Sequence, residues 1–267
     1  MDTIFILKLI LAFIVGGVWV IITTILAEKY GSKIGGWIGG LPSTSLLSLF
    51  FIGLTQSPQI AAEATTVMPA ANGGIAIFAL IFVFFIKTKK LFFSLAGAIL
   101  AWFIVSGLVI YFNLNNFLLS IFIFLIVFIF SFYMMEKILK IKSVQNIKIK
   151  YNIWQIIGRG IFGGFIIGLA VLMGKLGGPG YGGVFASFPA MFISILIIVY
   201  KMHGVEFTRA IAKSFTVSAL INVTAYAIFV RYAYSYIDNL YLGTLVAMLL
   251  ALLSAYFTFI IVKKFTT

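Results

Sequence analysis

The chain has 267 residues, of which 63% are hydrophobic and 9% are charged, and its mean hydropathy is +1.20. Soluble domains carry about 25% charged residues, so this composition excludes a soluble fold. The formal charge of +13 does not indicate nucleic-acid binding, because the Lys and Arg residues lie mostly in short loops between apolar segments, where cations set membrane orientation.

Apolar segments of roughly 20 residues, each long enough to cross a hydrocarbon core of about 30 Å as a helix, follow one another along the whole chain. The loops after the first, third, fifth and seventh segments and the end of the chain are rich in cations, and the loops between them have few. The positive-inside rule therefore predicts a multi-pass protein of the plasma membrane with its N-terminus outside and its C-terminus in the cytoplasm. The nine predicted spans are 4–27, 34–54, 58–86, 91–112, 117–135, 153–174, 181–200, 206–230 and 240–262.

An internal repeat is visible when the sequence is shifted by 147 residues. The shift superposes glycines and a proline in register, which chance matching of apolar residues does not produce. After the loop between the second and third helices of each copy the register becomes 150. The matched pairs are Gly16-Gly17 with Gly163-Gly164, Gly31 with Gly178, Gly35-Gly36 with Gly182-Gly183, Pro42 with Pro189, and Asn72 with Asn222.

This repeat predicts an all-α membrane fold built from two four-helix units. The first unit is 1–112, a linker helix and basic loop occupy 113–150, and the second unit is 151–267. Because a single linker helix separates the units, the second must lie upside down relative to the first. Inverted repeats of this kind are typical of transporters.

The stretch AEKYGSKIGGWIGGLPSTS, with Gly31, Gly35-Gly36 and Pro42, resembles the GlpM-like small four-helix membrane proteins, here in duplicate. The resemblance covers the first three helices of each unit and implies no activity at particular residues. Fused fluoride channels share the layout of four helices, one linker and four helices, but their sequence motifs are not evident here.

Pro42 and Pro189 fall at the same point of the second helix of each unit. Proline removes a backbone donor and disturbs the preceding turn, so both helices are expected to be kinked or unwound near the middle of the membrane. Interrupted helices expose carbonyls and helix ends to substrate in transporters. The alternative is a pair of kinks without a ligand. The predicted substrate-binding residues here are Pro42, Ser43, Thr44, Ser45, Ser187 and Pro189.

Asn72 and Asn222 lie near the centres of the third and eighth predicted spans. An unpaired amide in such a place costs about 1–3 kcal/mol. Facing each other across the axis that relates the units, the two asparagines are expected either to bind substrate or to hydrogen bond to neighbouring helices, as interhelical asparagine often does.

Glu63 is a carboxylate within a predicted span, and at the register of 150 its counterpart is Lys213. Ionisable residues inside membranes are costly and commonly functional. Glu63 is therefore predicted as an outer proton or cation site, and Arg159, Arg209 and Lys213 as contacts for an anionic group on the inner side. The alternative is that Glu63 extends to the membrane surface and that the cations only set topology.

These features predict a secondary transporter or exporter of a small polar or amphipathic solute that works by alternating access and uses proton coupling. A small-ion channel and a lipid flippase or scramblase remain as alternatives. An enzyme is not expected, because paired acids and a serine–histidine pair are missing, and no cysteine and one histidine leave no metal site or cofactor. The expected partners are membrane lipids and a small-molecule or ion substrate, with a homodimer left open.

Overall fold

The computed structural model describes residues 2–29, 42–142 and 149–266, with the backbone alone at 259 and 261–266. Every regular element within these ranges is helical. The predicted glycine matches at Gly31 and Gly35-Gly36, and the beginning of the predicted second span, lie outside the described residues. In chain order the helices are α1 (Thr3–Lys29), α2 (Ser43–Thr55), α3 (Pro58–Ala64), α4 (Met68–Phe85), α5 (Leu91–Tyr111), α6 (Phe117–Tyr133), α7 (Ile153–Gly177), α8 (Pro179–Ala186), α9 (Ala190–Tyr236) and α10 (Leu240–Thr266).

Seven helical runs in the described part of the chain are long and apolar enough to cross a membrane. Helix α2 is shorter, with 13 residues, and the continuous run from Pro179 to Tyr236 counts once among the seven. Large apolar side chains such as Phe92 and Leu118 are more than 70% exposed. An apolar surface of this extent is unfavourable in water, which is consistent with a multi-pass membrane protein.

Helix α9 reverses direction at Gly204, where the backbone has φ 76° and ψ −168°. Phe192 and Phe215 lie 23 residues apart in the sequence, yet their rings stack with centroids 5.0 Å apart. A straight helix would separate them by about 35 Å. Residues 190–203 and 205–236 are therefore two arms of a helical hairpin, and glycine is needed at the turn because its φ is positive.

Helices α4 and α9 form the centre of the molecule, while α1, α5, α6 and α10 expose most of their apolar surface. Phe78 of α4 packs against Phe192 in the first arm of α9, with ring centroids 5.6 Å apart. The central helices can carry buried polar side chains because neighbouring helices surround them. The buried polar side chains of α4 and α9 are therefore the candidates for a site.

Helices α1 and α7 pack antiparallel along their length through glycines. A Cβ atom on Gly17 would lie 3.0 Å from the carbonyl oxygen of Gly160, and one on Gly160 would lie 3.0 Å from that of Gly17. A Cβ atom on Gly164 would overlap the carbonyl oxygen of Phe13 and lie 3.0 Å from the backbone nitrogen of Gly17. Only glycine permits such close approach of two backbones. We call this contact, formed by Gly16, Gly17, Gly160, Gly163 and Gly164, the glycine seam.

The predicted third span, 58–86, is not one helix. It divides at Thr65–Val67 into α3 and α4. Pro69 lies in the first turn of α4, and proline both lacks a donor and disfavours helical geometry in the residue before it. The Thr65 hydroxyl donates to the carbonyl of Ala62 at 2.6 Å, which satisfies a carbonyl that the end of α3 exposes.

Candidate functional site

Pro42 and Pro189 have nearly the same backbone geometry. Pro42 has φ −76° and ψ 53°, Pro189 has φ −77° and ψ 42°, and each precedes the first residue of a helix. The carbonyl of each accepts the first hydrogen bond of that helix, at 2.7 Å from Leu46 and 2.8 Å from Ile193. The predicted interruption at Pro189 is present, because α8 ends at Ala186 and α9 begins at Ala190.

The two proline segments meet inside the protein. The Ser45 hydroxyl, at the beginning of α2, donates to the carbonyl of Ala186 at 2.8 Å, and the bond is buried. Ser43 and Thr44 are half-buried. The hydroxyls of Ser48 and Ser187 are buried and have no partner among the described residues. The structure thus joins the segment that contains Ser45 to the segment that contains Ser187. The hydroxyls of Ser48 and Ser187 are left free to bind.

The central asparagines are buried, but they do not bond to each other. The amide nitrogen of Asn72 donates to the hydroxyl of Thr224 at 3.0 Å. The side-chain oxygens of Asn72 and Asn222 and the hydroxyl of Tyr226 have no partner in the described part of the chain. Asn222 and Tyr226 are four residues apart and therefore share one face of α9. Buried polar atoms normally find partners, so this group can accept a polar ligand.

Arg231 binds the break between α3 and α4, a role that the sequence analysis did not assign to it. Its guanidinium donates to the Thr66 hydroxyl at 2.9 Å and to the Ala62 carbonyl at 3.5 Å. The same group lies 4.6 Å from the centroid of the Phe117 ring. On the other side of the break, the Ser120 hydroxyl accepts the backbone N–H of Ala70 at 3.0 Å. Pro69 is the sequence signal that could have located this break.

Glu63 lies in α3 with an exposed side chain. It forms no hydrogen bond or ion pair with the residues that the structure describes. Its neighbour Ala62 accepts the bond from Arg231. Glu63 is therefore accessible, and it lies at the same break as the arginine.

Two of the three predicted anion-binding cations already have carboxylate partners. Lys213 is buried, pairs with Glu136 in the turn of π-helix that follows α6, and donates to the carbonyl of Ile141 at 2.6 Å. Arg209 pairs with Glu206 at 3.0 Å on the same helix. Each of these two positive charges therefore has a carboxylate partner, although the Arg209 Nε is buried without a hydrogen-bond partner among the described residues.

Arg159 has no carboxylate partner among the described residues and is held by uncharged groups from two other helices. It donates to Thr24 of α1 at 3.2 Å and to Ser194 and the sulfur of Met191 of α9 at 2.9 Å and 3.7 Å. The Tyr151 ring lies 5.2 Å from the guanidinium. Burial raises the pKa of the Tyr151 phenol and Arg159 opposes the rise, so that the ring is neutral at physiological pH.

No group of three or more His, Cys, Asp or Glu side chains that could hold a metal ion is found within the described ranges. The polar groups between the helices are hydroxyls, amides and arginines. Such groups bind ligands by hydrogen bonds and charge.

Comparison with known proteins gives one match. Residues 9–116 are similar to the family described as "Protein of unknown function (DUF3147)". No curated protein and no solved structure matches the chain. The matched residues begin in α1 and end just before α6.

Proposed function

We propose that the protein is a secondary transporter or exporter of a small polar solute, with nine spans formed by two inverted four-helix units and a linker helix. The observation that carries this proposal is the buried contact between the two proline segments, where Ser45 donates to the carbonyl of Ala186. Interrupted helices that meet between repeated units form substrate sites in known transporters.

The pairing of contacts in the glycine seam supports the inversion. A shift of 147 residues turns Gly16 into Gly163 and Ile167 into Val20, and the side chain of Ile167 lies against Gly16 as that of Val20 lies against Gly163. Contacts that exchange partners in this way are expected around a twofold axis. Because α1 and α7 run antiparallel, such an axis lies in the membrane plane, as in inverted repeats.

The proposed nine-span count depends on two features. The reversal at Gly204 makes each arm of α9 a separate span, and α2 is the part of the second span that lies within the described residues. The family match to residues 9–116 covers α1 to α5 and stops at the linker, which supports the proposed first unit, 1–112. The resemblance to GlpM-like proteins, over the first three helices of each unit, stays a proposal.

The mechanism that we propose is a rocking of one unit against the other. The solute binds between the units near Asn72, Thr224 and Asn222, where buried oxygens lack donors. Since those oxygens accept hydrogen bonds, the solute should carry O–H or N–H groups. Breaking the contact of Ser45 with Ala186 on one side of the site and reforming it then changes which side is open.

The chain has no native cysteine, so that a single cysteine can report access to the site. We expect Ser187→Cys and Thr224→Cys, in vesicles, to react with a membrane-impermeant maleimide from whichever side the site is open to. Because each molecule is open to one side at a time, a condition that raises the labelling rate from one side should lower the rate from the other. A cysteine at Lys87, which is exposed, is the control that reacts from one side. Labelling rates that rise and fall together from both sides would instead indicate a channel, and no labelling from either side would contradict a central site.

Proton coupling is proposed to use Glu63. Glu63→Gln should abolish the dependence of uptake on a pH gradient while leaving exchange of solute across the membrane intact, because only the titrating group is lost. Asp238→Asn, which removes an exposed carboxylate from another region without breaking an ion pair among the described residues, is the matched control. Unchanged pH dependence in Glu63→Gln would contradict this role.

The proposed orientation has the N-terminus outside and the C-terminus in the cytoplasm of a cell with a plasma membrane. A reporter fused after Thr267 should be cytoplasmic, and one inserted at Asn115 should not be. A C-terminus outside the cell would contradict both the nine spans and the inversion.

A further inference from the structure

We infer that the transported solute is an anion, and that Arg159 and Arg231 hold it at the two ends of the contact between the units. This inference rests on the proposed function and adds the substrate class. Of the six basic residues within α7 and α9, Lys175 and Lys201 are exposed. The inference is based on a difference among the other four, which are Arg159, Arg209, Lys213 and Arg231. Lys213 and Arg209 are neutralised by Glu136 and Glu206, whereas Arg159 and Arg231 pair with no carboxylate in the described structure.

Each of the two arginines joins one unit to the other. Arg159, from the second unit, donates to Thr24 of the first unit and to Ser194 of its own unit. Arg231, also from the second unit, donates to Thr66 of the first unit. A group that binds either guanidinium therefore acts on a contact between the two units.

The guanidinium groups have unused donors. Arginine has five N–H groups, and the three bonds of Arg159 to Thr24, Ser194 and Met191 leave two of them without a partner among the described residues. Arg231 uses only its Nη1 group, which leaves Nε and Nη2. Both side chains are half-buried, so that they are neither fully solvated nor closed to a ligand. Two free N–H groups on one guanidinium suit a carboxylate or phosphate.

The nearest acids do not neutralise these arginines. Glu28 lies near Arg159, but its carboxylate accepts the backbone N–H of Tyr151 at 3.3 Å. Glu63 neighbours the carbonyl that binds Arg231, but its own side chain is exposed. A positive charge removed from water without a partner is costly, and an anionic ligand would offset that cost at both places.

The depths of the two arginines match. At 1.5 Å per residue, Arg159 lies about 9 Å beyond the start of α7 and Arg231 about 8 Å before the end of α9. In the proposed topology these are opposite sides of the membrane, with Asn72 and Thr224 between them. An anion that also carries a hydroxyl or amine can bind an arginine at either end and donate to the asparagine oxygens at the centre.

The test measures thermal unfolding of the purified protein in detergent, at constant ionic strength, with sodium lactate, sodium phosphate, glycerol and choline chloride as probes. A ligand that binds the folded state raises the unfolding midpoint. We expect lactate or phosphate to raise it by about 2–5 °C, and glycerol and choline to leave it unchanged. Arg159→Gln and Arg231→Gln should each shift the required anion concentration upward by at least tenfold, while Lys87→Gln retains the wild-type response.

Two further arms make the result decisive. If a glutamine variant does not fold, Arg159→Lys and Arg231→Lys keep the charge but lose the two-pronged donor, and weaker anion binding by these folded variants supports the inference. Vesicles of phosphatidylcholine, with and without phosphatidylglycerol, separate the sources: a response to soluble anions identifies a solute, and a response to the anionic lipid alone identifies a head group.

The anion assignment is overturned if neither soluble anions nor phosphatidylglycerol stabilise the protein, or if stabilisation persists in both glutamine variants. Uptake of glycerol or choline at the wild-type rate by Arg159→Gln and Arg231→Gln vesicles would also overturn it, while leaving the proposed transport intact. Labelling rates of Ser187→Cys that rise and fall together from both sides would contradict the transporter itself.

Discussion

Two of the contacts that join the first half of the chain to the second differ in chemistry. The glycine seam between α1 and α7 is tight and apolar, with backbones in direct contact at Gly17, Gly160 and Gly164. The other contact, which we call the polar seam, lies between α3–α4 and α9. It consists of the bond between Asn72 and Thr224 and the bonds of Arg231 to the break beside α3.

This difference suggests which contact can change during a transport cycle. Close backbone packing involves many van der Waals contacts that small shifts would lose. A few hydrogen bonds that can be exchanged for bonds to a ligand cost less to open. In the proposed transport cycle the glycine seam is therefore the expected pivot, and the polar seam is the contact that is expected to open around the solute. The predictions below test this assignment, beginning with the largest expected effect.

Gly164→Ala should be the most damaging change. Its Cβ atom would overlap the Phe13 carbonyl oxygen, and because backbone on both sides must move, we expect a loss of about 3 kcal/mol in the free energy of unfolding. Gly158→Ala, on the same helix, meets no atom within 4 Å and should stabilise the helix by about 0.5–1 kcal/mol. Thermal unfolding in detergent measures both. Equal stability of the two variants would rule out the glycine seam as a rigid pivot.

Glu136→Gln should have the next largest effect, because it leaves the buried ammonium of Lys213 with the Ile141 carbonyl alone. We expect a loss of about 2 kcal/mol, since Glu136 is partly exposed and water compensates part of the charge. Adding Lys213→Met to Glu136→Gln should restore part of that stability, because the unpaired charge is then removed. If the double variant is less stable than Glu136→Gln alone, the pair does more than neutralise charge.

Thr224→Val should cost about 1–2 kcal/mol, because it leaves the buried Asn72 amide without its acceptor. Asn72→Leu should preserve stability, since it removes an oxygen that already lacks a donor along with the donating nitrogen. The same Asn72→Leu variant should lose solute uptake. A variant that is stable but inactive identifies Asn72 as a binding residue, whereas loss of stability with retained uptake identifies it as interhelical glue.

Hydropathy was sufficient to locate the outer helices, because each is a long apolar segment with polar ends. The predicted 4–27 and 91–112 are observed as Thr3–Lys29 and Leu91–Tyr111. The interruption at Pro189 was predicted because proline lacks a backbone donor, and the same property accounts for the break in the structure. The break at Thr65–Val67 was missed although Pro69 causes it, because the apolar residues around it continue without a gap.

The site was only partly predictable, because its charge pairs are remote in sequence. Glu136 and Lys213 are 77 residues apart, and helical periodicity reports only neighbours three or four residues away. Lys213 was therefore predicted to bind a ligand although it has an internal partner. Arg231 was not predicted as a site residue, yet the structure places it on α9 against Thr66. The partner of Asn72 is Thr224, on a neighbouring helix, and the sequence could not name that residue.

The smallest effect is expected at the contact between the two proline segments. Ser45→Ala removes one buried hydrogen bond to the Ala186 carbonyl and should cost about 1 kcal/mol. Ser48→Ala is the control one helical turn away, because the Ser48 hydroxyl is buried without a partner among the described residues and its loss should not destabilise the protein. If the Ser45 bond holds one access state closed, Ser45→Ala will also change the ratio of labelling from the two sides at Thr224→Cys, which Ser48→Ala will not. An unchanged ratio would mean that this bond only stabilises the fold, and that the polar seam alone controls access.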